Sequence, residues 1–277
     1  MSAAPLTDLS RLCIHTITTK PWTVEEAARN FSREGVGGIT VWRDALQGRN
    51  INDTGRMLRD LNLQIVSLCR GGFFPHTGAQ KRREAIDDNR RAIDEAAALG
   101  APLIVLVCGA DPAQPLIESR KQIAAAIREL VPYAGAAGVK LAIEPLHPMY
   151  AGDRSAINTL KQANDMAEDI HSPWIGVAVD VYHLWWDPAL KEEIERCAKN
   201  GHLFTFHICD WKTPTTDLLL DRGLMGEGCI PVNEIRGWVE ETGFTGFIEV
   251  EIFSNKHWAE DQHQFLQAIK HAYLNHS

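Results

Sequence analysis

The sequence has no Cys-x-x-Cys pair, no apolar run long enough to cross a bilayer and no excess of basic charge. Each absence removes a class of protein. Six cysteines are present, Cys13, Cys69, Cys108, Cys197, Cys209 and Cys229, but they stand far apart. Such spacing suggests neither a disulfide framework nor a zinc knuckle; it suits small core residues in a reducing compartment. The N-terminal stretch MSAAPLTDLS has no basic segment leading into an apolar one, and no run approaches the roughly 18 apolar residues of a membrane span. A cytoplasmic protein is expected. The formal charge of -8 argues against a partner such as duplex nucleic acid, whose binders carry a basic face for phosphates. Also missing are a Pro/Ser-rich linker, a shift in composition, and the basic cluster or glycine nest of a phosphate site.

What is present is a regular alternation. The 277 residues are 45% hydrophobic, and short β-branched runs alternate with longer amphipathic stretches, the pattern of parallel β/α units. Eight strands are predicted: RLCIHTIT, GGITVWRD, QIVSLCRG, PLIVLVCG, VKLAIEPL, IGVAVDVYH, LFTFHICD and GFIEVEIF. Helix-like sequence follows each, least clearly near Asn52 to Leu61. The first helix opens on Thr23 with Glu26 three residues on, a capping-box spacing. Glycines at 35, 100, 138, 201 and 243 stand where left-handed helix ends are expected. Eight unbroken units predict one α/β domain over residues 1–277, a closed (β/α)8 TIM barrel, with a doubly wound open sheet as the alternative.

In a barrel all strand C-terminal ends open onto one face, and the unusual polar residues collect there. LAIEPLHPMY ends an apolar run on Glu144 and adds His147 after a proline; Asp180 and His183 end strand six, His207 and Asp210 strand seven, Glu251 strand eight. A single strand-end acid is usually solvated or caps a helix. Acids inside AIEP, AVDV and VEIF have apolar neighbours, and so much buried negative charge without a cation is costly. Glu144, Asp180, His207 and Glu251 therefore form a candidate metal set of mixed oxygen and nitrogen donors. It suits one divalent ion, Mn2+ foremost, with Mg2+, Co2+ or Zn2+ as alternatives. Glu249 shares a face with Glu251 but lies deeper, where a structural pair is expected.

The order of Glu in AIEP, Asp and His in VDVYH, His in FHICD, Arg and Glu in DRGLMGEGCIP and Glu in VEIF resembles the xylose-isomerase-like TIM barrels. These include sugar isomerases, ketose 3-epimerases, inosose isomerases and dehydratases, and AP endonucleases. The resemblance implies metal-assisted proton abstraction beside the carbonyl of a keto-sugar. Glu144, Asp180, His207 and Glu251 match its metal ligands, His183 a substrate-contacting histidine, and Arg222 an arginine that holds substrate oxygens. The extra ligands and basic face of the endonucleases are not evident. Ketose 3-epimerases carry a second glutamate six residues after the first ligand, where this chain has Tyr150.

The segments HTITTKPW, LCRGGFFP, EPLHPMY and DVYHLWWDP also resemble the large subunit of bacterial C-glycoside deglycosidases. These cleave 3-oxo-glycosides by metal-assisted β-elimination with a histidine base, in complex with a small β-rich subunit. A homo-oligomer or such a hetero-oligomer is thus expected. Proton transfer is assigned to Glu144, Glu251 or His147, whose ordinary pKa suits it. A noncatalytic sugar-binding barrel is the remaining alternative. Trp42, Phe73, Phe74, Trp185, Trp186 and Trp211, at or just past strand ends, are candidates to stack on a sugar or aglycone, Trp42 and Trp185 foremost. Arg43 and Arg70 either contact substrate or pair with rim acids. With no basic cluster visible, a neutral sugar is favoured over a sugar phosphate.

Overall fold

Alternation of inward and outward residues along short strands builds a closed barrel. The computed structural model describes residues 3–277. Its strands are β1 (Leu12–His15), β2 (Gly38–Trp42), β3 (Gln64–Gly72), β4 (Leu103–Val107), β5 (Lys140–Glu144), β6 (Ile175–Asp180) and β7 (Leu203–Ile208). A short ribbon of β8 (Asp210–Trp211) and β9 (Arg222–Gly223) precedes the last stave, β10 (Ile248–Val250). The order around the barrel is β1-β10-β7-β6-β5-β4-β3-β2, every pair parallel, with β1 also paired to β2. The sheet closes on itself, so the open doubly wound alternative does not apply.

Helices cover the outside: α1 (Val24–Arg33), α2 (Ile51–Asp60), α3 (Ala79–Leu99), α4 (Leu116–Ala137), α5 (Leu160–Ile170), α6 (Val181–Leu184), α7 (Leu190–Lys199), α8 (Val232–Glu241), α9 (Asn255–Ala259) and α10 (Gln262–His276). The capping box of α1 is formed, with the Thr23 hydroxyl accepting from the Glu26 N–H and the Glu26 carboxylate accepting from the Thr23 N–H. Gly100 and Gly138 close α3 and α4 in the left-handed conformation. None of these helices is long and apolar enough to cross a membrane.

Parity divides the strand residues between two cores. Ile104, Leu106, Leu141, Ile143, Val177, Val179, Phe206, Ile208, Ile248 and Val250 belong to the large outer core shared with the helices. Cys69, Leu103, Val105, Ala142 and Ala178 form a separate cluster inside the barrel, with Phe204 and Trp42 packed against it. Burying each large aliphatic side chain contributes about 1.5–3 kcal/mol. All six cysteines are free and only Cys229 is exposed, among the described residues.

One glycine decides how β3 meets β4. Gly72 has φ of +110°, and a Cβ there would lie 1.9 Å from the Val107 carbonyl oxygen. Its N–H donates to Asn89 Oδ1 at 2.7 Å and its carbonyl accepts from Asn89 Nδ2 at 2.8 Å. Gly72→Ala is expected to destabilise the fold by about 3 kcal/mol through strain and overpacking. Urea unfolding of the variant would measure it.

Candidate active site

The inward parity of four adjacent strands places Glu144, Asp180, His207 and Glu251 on one rim. Glu144 and Asp180 end β5 and β6, His207 is the penultimate residue of β7, and Glu251 follows β10. Register sets Asp180 beside His207 and His207 beside Glu249. One donor atom from each member of the set lies within 4.8 Å of the other three, and all four residues are buried. His207 Nδ1 is 3.1 Å from Glu144 Oε1. Donors bound at about 2.1 Å to a common ion stand roughly 3 Å apart. The residues fit a divalent ion in spacing, and their oxygen and nitrogen atoms fit the Mn2+, Mg2+, Co2+ or Zn2+ group.

Charge points the same way. Three buried carboxylates share this rim, and the guanidinium that answers them is Arg222. Its Nη1 donates to Glu251 Oε2 at 2.9 Å and to Asp180 Oδ2 at 3.4 Å, and its Nη2 lies 3.3 Å from His183 Nε2. The cation sits over the Tyr182 ring at 4.2 Å and the Phe253 ring at 5.0 Å. Arg222 is delivered by the ribbon, where Trp211 and Arg222 pair across β8 and β9.

Burial, with Glu251 and Glu144 adding to it against Arg222, pushes the Asp180 carboxyl up to about 7. A raised carboxyl pKa favours the protonated fold, so this contribution is complete near pH 4 and lost as pH rises through 7. A metal ion must displace the same proton. Burial opposes charge on His207, but Glu144, Glu249 and Glu251 raise its pKa, so a second proton competes as well. Affinity for a divalent ion is expected to rise by about tenfold or more per pH unit where both groups are protonated. Calorimetric titrations from pH 5.5 to 8 would check the slope.

His15, at the end of β1, had no place in the predicted site. Its Nε2 is 3.1 Å from Glu249 Oε2 and its Nδ1 3.1 Å from Glu251 Oε1. Burial opposes its charge, yet contacts with Cys69, Glu249 and Glu251 outweigh burial and raise its pKa well above the ordinary value. Burial likewise works against ionised Glu251, but His15 and Arg222 hold its pKa below the usual carboxylate range. Glu249 lies beneath the rim and accepts from the Thr40 hydroxyl at 2.6 Å. It is part of the support of the site.

Above the donors is a cavity of about 90 Å3, lined by Glu144, Glu251, His183 and Arg222 together with Trp42, Arg70, Tyr150 and Arg154. His183 Nδ1 is buried without a partner among the described residues. Burial, reinforced by Arg222, drives the His183 pKa well down, so the ring is neutral. Tyr150, where ketose epimerases have glutamate, reaches outward: its hydroxyl and that of Tyr182 both donate to the Leu218 carbonyl, at 2.7 and 2.8 Å. Together they tie down the strap between β8 and β9.

His147 and Trp185 are not among the residues that line this cavity. The His147 ring packs 5.1 Å from Trp211 and 5.7 Å from Trp186, and its Nδ1 accepts from the Met149 N–H at 3.2 Å. Burial lowers its pKa. Trp185 packs on the outer core and lies 5.7 Å from Trp211. Phe74 is a core residue, whereas Phe73 lines a neighbouring cleft. Arg43 is bound to Asp88 and Glu95. Asp210 organises the GEGCIP turn by accepting from the N–H groups of Trp211, Gly226, Gly228 and Ile230 at 2.8–2.9 Å. Gly228 permits that turn, since a Cβ there would meet the Trp211 carbonyl oxygen at 2.1 Å.

Barrel, rim and donor set define a class. Residues 12–269 match the model of the xylose isomerase-like TIM barrel family, and the chain belongs to it. Among curated proteins it is similar to inosose isomerase from Halalkalibacterium halodurans, 24% identical over 236 residues that cover 81% of this chain and 79% of that one. A crystal structure of a protein from Sinorhizobium meliloti 1021 matches with a TM-score of 0.94 at 43% identity, covering 97% of this chain and 99% of the other. The IolI protein with a bound zinc atom matches with a TM-score of 0.83 at 20% identity, covering 95% and 96%, a shared fold.

Proposed function

We propose that this chain is a metal-dependent sugar isomerase or epimerase acting on a ketose or a cyclic keto-polyol. The observation that carries the reading is the buried donor set Glu144, Asp180, His207 and Glu251 beneath a cavity that also presents Arg222 and His183. The likeness to inosose isomerases, whose named substrate is a cyclic polyol ketone, supports the substrate class. The zinc-bound neighbour supports a divalent ion, with Mn2+ our first choice from the oxygen-rich donors.

The bound ion supplies a Lewis acid that makes the carbon beside a carbonyl more acidic. Glu144 and Glu251 reach the cavity from strands separated by β6 and β7. One withdraws the proton and the other returns it, on the same carbon for epimerisation or on the neighbouring one for isomerisation. Arg222 donates to the oxygen where negative charge develops. Neutral His183 offers its free Nδ1 to a substrate hydroxyl, and Trp42 supplies an apolar wall. His147, turned into the aromatic pack, is left out of the proton transfer.

The test is metal analysis of the purified protein, followed by hydrogen-deuterium exchange with inososes, free ketoses and 3-oxo-glycosides, with and without chelator. Chelator-sensitive exchange into an inosose or ketose is the expected result. Aglycone release from a 3-oxo-glycoside would replace it with β-elimination, return His147 to the mechanism and call for a small β-rich partner subunit. A metal-replete protein that exchanges none of these compounds would sink the reading.

A further inference from the structure

The inner cavity opens into an outer cleft of about 840 Å3, and the neck between them has its own chemistry. Trp42, Arg70, Arg154, Leu219 and Phe253 line both spaces. Arg70 comes from β3. Arg154 comes from the turn after β5, where its N–H donates to the Tyr150 carbonyl at 3.0 Å and its carbonyl accepts from the Gly109 N–H at 2.9 Å. Both side chains are half-buried. Neither guanidinium has an ion pair or hydrogen bond among the described residues. Each lies against an aromatic face instead, Arg70 4.3 Å from the Phe73 ring and Arg154 5.5 Å from the Tyr150 ring.

The other arginines here are occupied, Arg43 with Asp88 and Glu95, Arg222 with Glu251 and Asp180. Burial and then the charge of Arg154 lower the pKa of Arg70, with Asp44 and Glu144 offsetting part of this. Three acids line the outer cleft too: Asp88 is bound to Arg43, Glu84 accepts from the neutral Gln80 amide, and Asp44 favours the charge of Arg70 from a distance without bonding to it. Two like charges lining one neck with no carboxylate bonded to either guanidinium are incompletely compensated, and a planar or tetrahedral oxyanion is the partner that guanidinium forks match.

We propose that Arg70 and Arg154 form an anion clamp, so that the substrate is a keto-sugar or keto-polyol bearing a carboxylate or phosphate ester on the part that points away from the metal donors. The inference rests on the reading above for the reacting end and adds the recognition of the other end. It reverses the preference for a neutral sugar drawn from the sequence. No basic cluster was visible there because the two arginines belong to different β/α units and meet only when the barrel closes.

The test compares wild type with Arg70→Gln, Arg154→Gln and the double variant, with circular dichroism to confirm folding. Should the double variant not fold, the Arg70→Lys and Arg154→Lys pair, which keeps charge but loses the fork, takes its place. Tryptophan fluorescence titrations with inorganic phosphate, gluconate and neutral sorbitol require no turnover. Wild type should bind phosphate or gluconate about tenfold or more tightly than sorbitol, in a salt-sensitive way, and the double variant should lose that margin. Phosphate favoured over gluconate, or the reverse, names the oxyanion. Equal affinity for gluconate and sorbitol, with none for phosphate, or anion binding that survives in the double variant, overturns the clamp. Exchange on D-fructose, D-fructuronate and D-fructose 6-phosphate separates this inference from the reaction. Anion binding as expected with no exchange leaves the clamp and removes the isomerase reading; exchange alike on all three with no anion binding does the opposite.

Discussion

Asp180→Ala protein is expected to fold, to lose its metal and to be inactive by at least about a thousandfold. Asp180 is one of four buried carboxylate or imidazole side chains that, on the proposed reading, hold the ion, and losing an ion that stabilises developing negative charge costs rates of that order. The fold should tolerate the change because the lost carboxylate is the one that burial and its acidic neighbours disfavour most clearly. Its cap on α6, a 2.8 Å bond from the Tyr182 N–H, contributes about 1 kcal/mol. Asp180→Asn can keep that bond through its amide oxygen but then turns its amide N–H groups toward the Arg222 guanidinium, so it should be less stable than wild type and equally inactive. Metal analysis, thermal melts and the exchange assay on both variants decide it. A metal-replete, active alanine variant would remove Asp180 from the donor set.

Arg222→Met should cost the metal-free protein about 3–5 kcal/mol, the usual result of deleting one partner of a buried ion pair. The substitution leaves Asp180 and Glu251 facing each other without the guanidinium that now touches both. A divalent ion supplies positive charge to the same carboxylates. Much of the loss should therefore return on adding metal, and urea unfolding with and without chelator would show a gap far wider for the variant than for wild type. An equal loss under both conditions would mean that Arg222 stabilises mainly by packing between Tyr182 and Phe253.

The barrel, and the gathering of four polar side chains at one rim, were legible largely because strand periodicity is local. Strands of five or six residues fix the inward parity of Glu144, Asp180 and His207, whereas Glu251 follows the three-residue β10, shares parity with Glu249 and is singled out by its place at the strand end. His15 carried no such signal: it ends a four-residue strand, and only the pairing of β1 with β10 sets it beside Glu249 and Glu251. His147 and Trp185 show the converse. They lie past the strand ends, where parity no longer holds, and local contacts orient them. His147 caps the single turn that begins at Pro148, and Trp185 follows α6 into the outer core. Arg154 lies in an irregular turn, and no pattern in the sequence joins it to Arg70.

The donors stand on β5, β6, β7 and after β10, four neighbouring staves, while Trp42, Arg70 and Phe73 belong to or follow β2 and β3 on the other side. An ion held there would fasten only half of the circumference. The opposite half carries no donor of its own, but its strands still reach the charge balance through Thr40 on Glu249 and Cys69 beside His15, so it is the loop positions beyond β2 and β3, such as Phe73, that can retune which molecules enter without disturbing it.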